Sequence, residues 1–512
     1  MKRKLLYISV LLLSVVGSTY AQGEMDAYRM SQTDLLGTAR SVGMGGAVGA
    51  MGGEISAISV NPAGIGYFST SQVVTTLNFQ NVNTKSTMNA GDMKEDKFKF
   101  NFNNLAFVGT FPIDSDVAPL LNFGFSFNRL KNFDRKYSMR GDNTRSIAEY
   151  MAYRFNGANL TSPDTQLAID DYNSYYPFDR YDWMPIFGYN SGLIKQKDNG
   201  TYSSNPIAGT GAYNDLFVQE RGYVDTYDFN FGTNIDDVVS VGLTVSVTDL
   251  DYRRYSYYSE AYNDTEGFFL ENSLKTEGTG VQVAAGVIVK PIPEFRFGLA
   301  YHSPTWYNMT DYYDAVMDYN IQTKSGVIDS WSDGRNNGFG NYTDYRFRTP
   351  DRLTFSATGL VGPVILSADY EFTNYKSNMR LGGNNGNLDW TSDYIDNHYK
   401  GASTLRVGAE IGFTKQFTGR VGYAWKESPV KSNIKNGSEE VMTVGSDSQY
   451  LIEDDTHHIT WGLGYRFTKN IFADVAFVYK MQDADLYSFY GADKATMKTN
   501  TFQGLLTLGF RF

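Results

Sequence analysis

The chain has 512 residues, a formal charge of -11, no cysteine, 15% aromatic residues, 50 glycines and a mean hydropathy of -0.37. No apolar run reaches the roughly 18 residues of a membrane helix, and the lack of cysteine excludes disulfide frameworks, thiolate metal sites and iron–sulfur clusters. An acidic chain without a basic cluster also argues against a nucleic-acid partner.

Lys2, Arg3 and Lys4 precede an apolar stretch from Leu5 to Val16, with small residues at Thr19 and Ala21. This pattern predicts a signal peptide over residues 1–21, cut after Ala21, and hence an exported protein of a bacterial envelope. Residues 22–70 show no alternation. They hold Ala39-Arg40, Gly43-Met44-Gly45-Gly46-Ala47 and Asn61-Pro62-Ala63-Gly64. The glycines do not form a dinucleotide loop, because no strand precedes them and no βαβ unit follows. They suit tight backbone turns in a confined space.

From residue 71 onward the chain alternates with period 2, as strands do. Segments near 71–83, 97–111, 120–135, 223–233, 238–257, 276–290, 294–306, 343–358, 363–377, 402–414, 417–427, 457–468, 470–482 and 501–512 carry the pattern. Short turns alternate with long connections, the longest at 136–222. In Leu405, Val407, Ala409 and Ile411 one face is apolar, while Arg406 and Glu410 take the other. Tyr and Trp gather near strand ends, as at Tyr301 and Trp306, and the chain ends on Phe512. Apolar-out, polar-in alternation with aromatic ends predicts an all-β fold: a 14-stranded antiparallel transmembrane β-barrel over residues 71–512. The non-alternating segment is then the right size to fill it.

Parity assigns Arg296, Asp369, Glu371, Arg406, Glu410 and Arg420 to the interior, together with Gln282, Lys290, Lys426, Arg466, Asp474 and Lys480. Such charges line a polar conduit or form an ion-pair lattice. Phe98, Phe100 and Phe102 share one face, but Leu105 and Phe107 have the opposite parity. An extra residue at Asn103-Asn104 restores the pattern, which predicts a β-bulge and a candidate irregularity in the wall. Loop 136–222 carries Ile147, Tyr150, Met151, Tyr153 and Phe155, then Tyr172, Tyr175, Tyr176, Phe178, Tyr181, Trp183 and Phe187, a candidate capture surface.

Signals for catalysis are weak. His302 and Ser303 are strand neighbours facing opposite sides and form no nucleophile–base pair. His457-His458 offers a haem or metal reading, weaker than that of loop-edge histidines. The Asp/Asn-rich stretch Gly382 to Asp396 fits no defined Ca²⁺ loop. No enzyme activity, metal or cofactor is expected.

The motifs Ala39-Arg40, Gly43-Met44-Gly45-Gly46-Ala47 and Asn61-Pro62-Ala63-Gly64 resemble the N-terminal hatch of FadL-like outer-membrane transporters. The resemblance implies a barrel plugged by a hatch over residues 22–70, with Gly43, Gly45, Gly46, Asn61, Pro62 and Ala63 as hatch positions. It also implies passive uptake of hydrophobic molecules, long-chain fatty acids or aromatic hydrocarbons, with release through the barrel wall. Where family members carry an acidic pair between the two motifs, this chain has only Glu54. The partners implied are outer-membrane lipid, a hydrophobic ligand and the barrel-assembly machinery, for a chain acting as a monomer. A porin for polar solutes and a surface-binding barrel, including a haemin binder, are the competing readings.

Overall fold

A computed structural model gives the fold and describes residues 23–35, 37–157, 182–208, 212–330, 341–383, 392–435 and 439–512. The predicted signal peptide lies outside these residues. Fourteen antiparallel strands close into a barrel. They are β1 (Gln72–Met88), β2 (Gly91–Pro112), β3 (Leu120–Asn132, continued by Arg135–Asn143), β4 (Ala212–Ile235) and β5 (Val239–Ala261). Next come β6 (Gly267–Ile292), β7 (Phe295–His302 and Trp306–Ile321), β8 (Asn341–Arg348 and Arg352–Val361) and β9 (Val364–Thr373, with Arg380–Gly383). The last five are β10 (Ala402–Gly412), β11 (Phe417–Lys426), β12 (Tyr450–Arg466), β13 (Ile471–Tyr487) and β14 (Ala495–Arg511). β14 closes on β1, from Gln72 opposite Arg511 to Thr87 opposite Thr496, and the Phe512 amide donates to the Ser71 carbonyl at 3.0 Å.

Alternation sets which face meets lipid. Leu506, Leu508 and Phe510 of β14 are exposed outward, while Gln503 and Thr507 are buried inward. Leu405, Val407 and Ile411, and Trp461 and Leu463, repeat the arrangement on β10 and β12. An outward Arg or Lys at the membrane midplane costs roughly 2–4 kcal/mol, so a one-residue slip of register is strongly disfavoured.

The strands run further outward than alternation predicts. β4 begins at Ala212, not near 223, and β6 begins at Gly267. Above the apolar belt the outward face meets water, so pairing continues after the hydropathy signature has faded. Loop 136–222 is correspondingly shorter and partly folded. It contributes the outer arm of β3, helix α3 (Ile147–Gly157) and helix α4 (Trp183–Ser191). Two strands predicted as continuous are broken at prolines, β7 at Pro304 and β8 at Pro350.

The N-terminal segment has α1 (Glu24–Ser31), α2 (Ala39–Gly43) and two 3-10 turns, Ile55–Ser59 and Pro62–Tyr67. Thr38 caps α2 by accepting from the Ser41 amide, and Asn61 caps the second turn by accepting from the Ala63 amide at 3.1 Å. Pro62 follows at the first position of the turn, where a missing N–H costs nothing. This segment leans directly on the inner wall. A Cβ on Gly408 would overlap the Met44 carbonyl, and one on Gly422 would overlap the Gly45 amide. Gly408→Val is therefore expected to displace the segment and destabilise the fold by about 1–3 kcal/mol. A lower urea midpoint for the heat-modifiable folded band on gels checks this; an unchanged midpoint contradicts it.

Candidate functional site

The site is the barrel interior, and the N-terminal segment fills much of it by pairing with inward side chains from many strands. Arg40 donates twice to Glu410 of β10, Nε and Nη2 each at 2.8 Å. Glu410 also accepts from Arg420 Nε of β11 at 2.6 Å, and Arg420 Nη1 donates to Asp474 at 2.6 Å. Asp369 accepts from the Val48 and Gly49 amides, each at 3.0 Å. Arg406 binds Glu371 at 3.1 Å. Arg296 donates to the Met51 carbonyl and lies over the Tyr67 ring, 4.5 Å from its centroid. The six interior charges singled out in the sequence are thus paired with one another or with the N-terminal segment. Lys290 and Arg466 differ: Lys290 pairs with exposed Asp237 near a turn, and Arg466 is exposed at a strand end.

The motif residues occupy distinct places. Gly43 ends α2, and Gly45 and Gly46 turn the chain with φ of 67° and 75°. Asn61 Nδ2 donates to the Val287 carbonyl of β6 at 3.3 Å, and Ser240 of β5 donates to the Ala63 carbonyl at 2.6 Å. Glu54, the lone acid between the motifs, accepts from Thr38 Oγ1 at 2.5 Å and from the Ser56 amide at 3.2 Å. Sequence reading does not single out Asn122, which donates to the Ile65 carbonyl at 2.9 Å and the Phe68 carbonyl at 3.1 Å, or Thr460, which donates to the Gly43 carbonyl at 3.1 Å. Their signal is a small polar side chain on the inward parity of a strand.

The wall changes at Asn103. Thr76 pairs with Asn104 but Leu77 pairs with Phe102, leaving Asn103 as the extra residue. Asn103 is buried, and its Nδ2 donates to the Gly37 carbonyl at 2.9 Å. β2 pairs with β3 only from Pro112 up to Asn104 opposite Asn128. Beyond that point β3 pairs with β4 alone. Side chains bridge the separation: Lys99 to Asp134 at 3.3 Å, Arg129 to Asn101 at 3.3 Å and Ser138 to Glu95 at 3.1 Å. On the outer face, Phe102 stacks on Phe127 with ring centroids 5.7 Å apart.

Toward the outside the interior is apolar and closed. Met25, Tyr28 and Met30 of α1 join a buried cluster with Met151 and Phe155 of α3, Trp183 and Phe187 of α4, and upper-strand side chains. The aromatic stretch at 147–155 is therefore mostly packed inward, with Tyr153 exposed. Tyr172, Tyr175, Tyr176, Phe178 and Tyr181 lie outside the described residues. Below this cluster two small cavities remain. One, of about 60 Å³, is lined by Asp34, Lys131, Arg135, Glu220, Glu453 and Lys480 among others. The other, of about 50 Å³, has Met30, Leu130, Val224, Tyr307 and Tyr375 on its wall together with Arg352, Glu371 and Lys426. Asp34 is shared by Lys131 at 3.0 Å and Lys480 at 3.4 Å. Burial pushes its carboxyl up, and the two ammonium groups outweigh that and hold it well below the usual range. Burial raises the Glu24 carboxyl of α1, although His398, at 3.1 Å, works against it.

His302 is buried with Nε2 at 3.1 Å from the Ser59 carbonyl, and Ser303 donates to the Pro304 carbonyl at 2.8 Å, so the two are not joined. His457 bonds outward to Tyr423 at 2.8 Å, while His458 is buried on the inward face. Among the described residues, no three His, Asp or Glu side chains group as a metal site. Most of the Gly382 to Asp396 stretch lies outside them.

No protein-family model and no curated protein matches the chain. Solved structures do. A Pseudomonas aeruginosa FadL homologue is 14% identical, with a TM-score of 0.53, over 94% of this chain and all of its own. The Pseudomonas putida toluene transporter TodX is 12% identical, with a TM-score of 0.52, over 94% of this chain and 99% of its own. The chain has the fold of these channels.

The Arg40–Glu410–Arg420–Asp474 chain is testable. Glu410→Gln leaves the buried Arg420 guanidinium and the part-buried Arg40 short of charge, a loss of about 3–5 kcal/mol for a buried pair. A lower denaturation midpoint and a higher conductance in planar bilayers are expected. Unaltered values for both would show that the contact does not hold the segment.

Proposed function

We propose that the protein is an outer-membrane channel for passive uptake of hydrophobic small molecules, with residues 22–70 as its hatch and with release sideways between β2 and β3. The observation that carries this reading is the end of β2–β3 pairing at Asn104, where the bulged Asn103 is bonded to the hatch carbonyl of Gly37. That bond couples hatch position to wall position. Phe98, Phe100 and Phe102 are exposed along the outer face of the free β2 edge, an apolar rail into lipid.

A porin reading fits the interior less well. The two interior cavities described, of about 60 and 50 Å³, both fall below the roughly 150 Å³ that admits benzene, so passage in this reading requires the hatch to move. The haemin reading gains nothing from His457 and His458, which face opposite sides of β12. Lys131, Lys426 and Lys480 around Asp34 favour a cargo with an acidic head, a long-chain fatty acid over an aromatic hydrocarbon. In this reading the signal peptide is removed after Ala21, the barrel-assembly machinery inserts the barrel, and the chain works as a monomer.

Deletion of Asn103 restores regular β1–β2 pairing and should close the wall. Uptake of labelled dodecanoic acid by cells is expected to fall to that of cells without the protein, while the barrel still folds by heat-modifiability. In parallel, Lys426→Met should slow uptake of dodecanoic acid and spare that of toluene. Full dodecanoic acid uptake by the deletion variant would overturn the lateral route, and equal effects on both cargoes would overturn the acidic-head assignment.

A further inference from the structure

The wall has a second discontinuity, nearly opposite the first. Three neighbouring strands interrupt their ladders at one level: β7 at Ser303–Thr305, β8 at Thr349–Asp351 and β9 between Thr373 and Arg380. Pro304 and Pro350 cannot donate to a ladder. Side chains take over part of the bonding. Thr305 N donates to Thr349 Oγ1 at 2.8 Å, Val283 N to Ser303 Oγ at 3.0 Å, and Asn378 Nδ2 to Asp351 Oδ1 at 2.6 Å. β9 pairs with β10 only as far as Thr373 opposite Ala402.

Immediately inside lies the cavity of about 50 Å³, and Thr305, Thr349, Pro350 and Thr373 from the three interruptions form part of its wall. The cavity is two-sided. Met30, Leu130 and Val224 supply apolar surface. Lys426 supplies a cation that makes no hydrogen bond or ion pair among the described residues. Outside, at the same level, Tyr301, Trp306 and Phe372 are exposed at 45%, 51% and 41%. Such aromatics mark the boundary between acyl chains and headgroups. On its outward side the cavity wall merges with the apolar cluster around α1, α3 and α4, to which Met30 and Val224 belong.

We infer that the β7–β9 interruption is a lateral intake port, through which a single-chain amphiphile with an anionic head passes from the outer leaflet to this cavity, which widens to receive it, its head toward Lys426 and its alkyl chain along Met30, Leu130 and Val224. The inference rests on the proposed uptake of hydrophobic molecules and changes where the cargo comes from. Thr305 and Thr349 are joined there by one side-chain bond and one backbone bond, Thr349 N to the Thr305 carbonyl at 3.1 Å, a shorter run to part than a continuous ladder. Intake at β7–β9 and release at β2–β3 then lie on opposite walls, with the linker between α1 and α2 between them.

The chain contains no cysteine, so one engineered pair can staple the port without side reactions. The full chain carrying Thr305→Cys and Thr349→Cys is placed in liposomes containing a photoactivatable dodecanoic acid, and cross-links are mapped by peptide mass spectrometry. Under reducing conditions, label is expected on Met30, Leu130 and Tyr375. Oxidation should abolish that labelling and reductant should restore it, with heat-modifiability confirming a folded barrel throughout. A second variant, Asn101→Cys with Arg129→Cys joined by a bis-maleimide that spans the separated strands, staples the β2–β3 opening and should leave cavity labelling in place. Labelling that survives the Thr305–Thr349 staple overturns the port; if the Asn101–Arg129 staple abolishes it instead, intake belongs to the β2–β3 wall and the uptake reading stands. Failure to label the cavity in any variant, reduced or oxidised, removes the uptake reading itself.

Discussion

The structure depends on one constraint: charges that alternation places inside a barrel must find partners there. A barrel of this size cannot close its interior with its own inward side chains. Glu410 receives Arg40 as well as Arg420, and Asp369 receives the amides of Val48 and Gly49. The N-terminal segment is therefore both the filling and the counter-charge. Breaking one buried partner strands the other in a medium of low dielectric, which is worse than removing both. The segment is held by contacts that are strong together and costly to break singly, with a single neutral hydrogen bond at Gly37.

That asymmetry divides the interior. The region from Ala39 to Phe68 is anchored to many strands by ion pairs and by close backbone approach at Gly408 and Gly422. The region from Gly23 to Asp34 sits higher, between an apolar cluster outside and polar cavities inside. Its charges are still paired, Arg29 with Glu220 at 3.2 Å and Asp34 with two lysines. Both described cavities mix polar and apolar side chains in their walls.

Much of the fold was legible because period-2 alternation is a local signal. All fourteen strands could be located, and the parity break at Asn103 revealed an added residue because a bulge shifts every later side chain to the other face. The outer strand extensions were not legible, since above the membrane both faces are polar and alternation carries no contrast. Partners in the interior were not legible either. Arg40 and Glu410 are 370 positions apart, and parity says only that Glu410 points inward, not what it meets. Pro304 and Pro350 were legible in principle: a proline inside a strand signals an edge or an interruption. Apolar alternation on either side made each run look continuous and hid the break.

The two wall discontinuities share a physical logic. Within a bilayer every backbone donor and acceptor must be satisfied by protein, so a ladder can be interrupted only where side chains take over its bonding. At β2–β3 side chains bond to one another across the wall, Arg129 to Asn101 and Asn104 to Asn128; at β7–β9 Ser303 and Thr349 accept from the Val283 and Thr305 amides, beside backbone bonds from Ser303 N to the Val283 carbonyl and from Thr349 N to the Thr305 carbonyl. A continuous strand pair opens only by breaking its bonds in series. A site bonded partly by side chains has fewer backbone bonds to part, and the backbone on either side keeps its own neighbours. The cost is a shorter run of ladder at each site, spread over a closed ring.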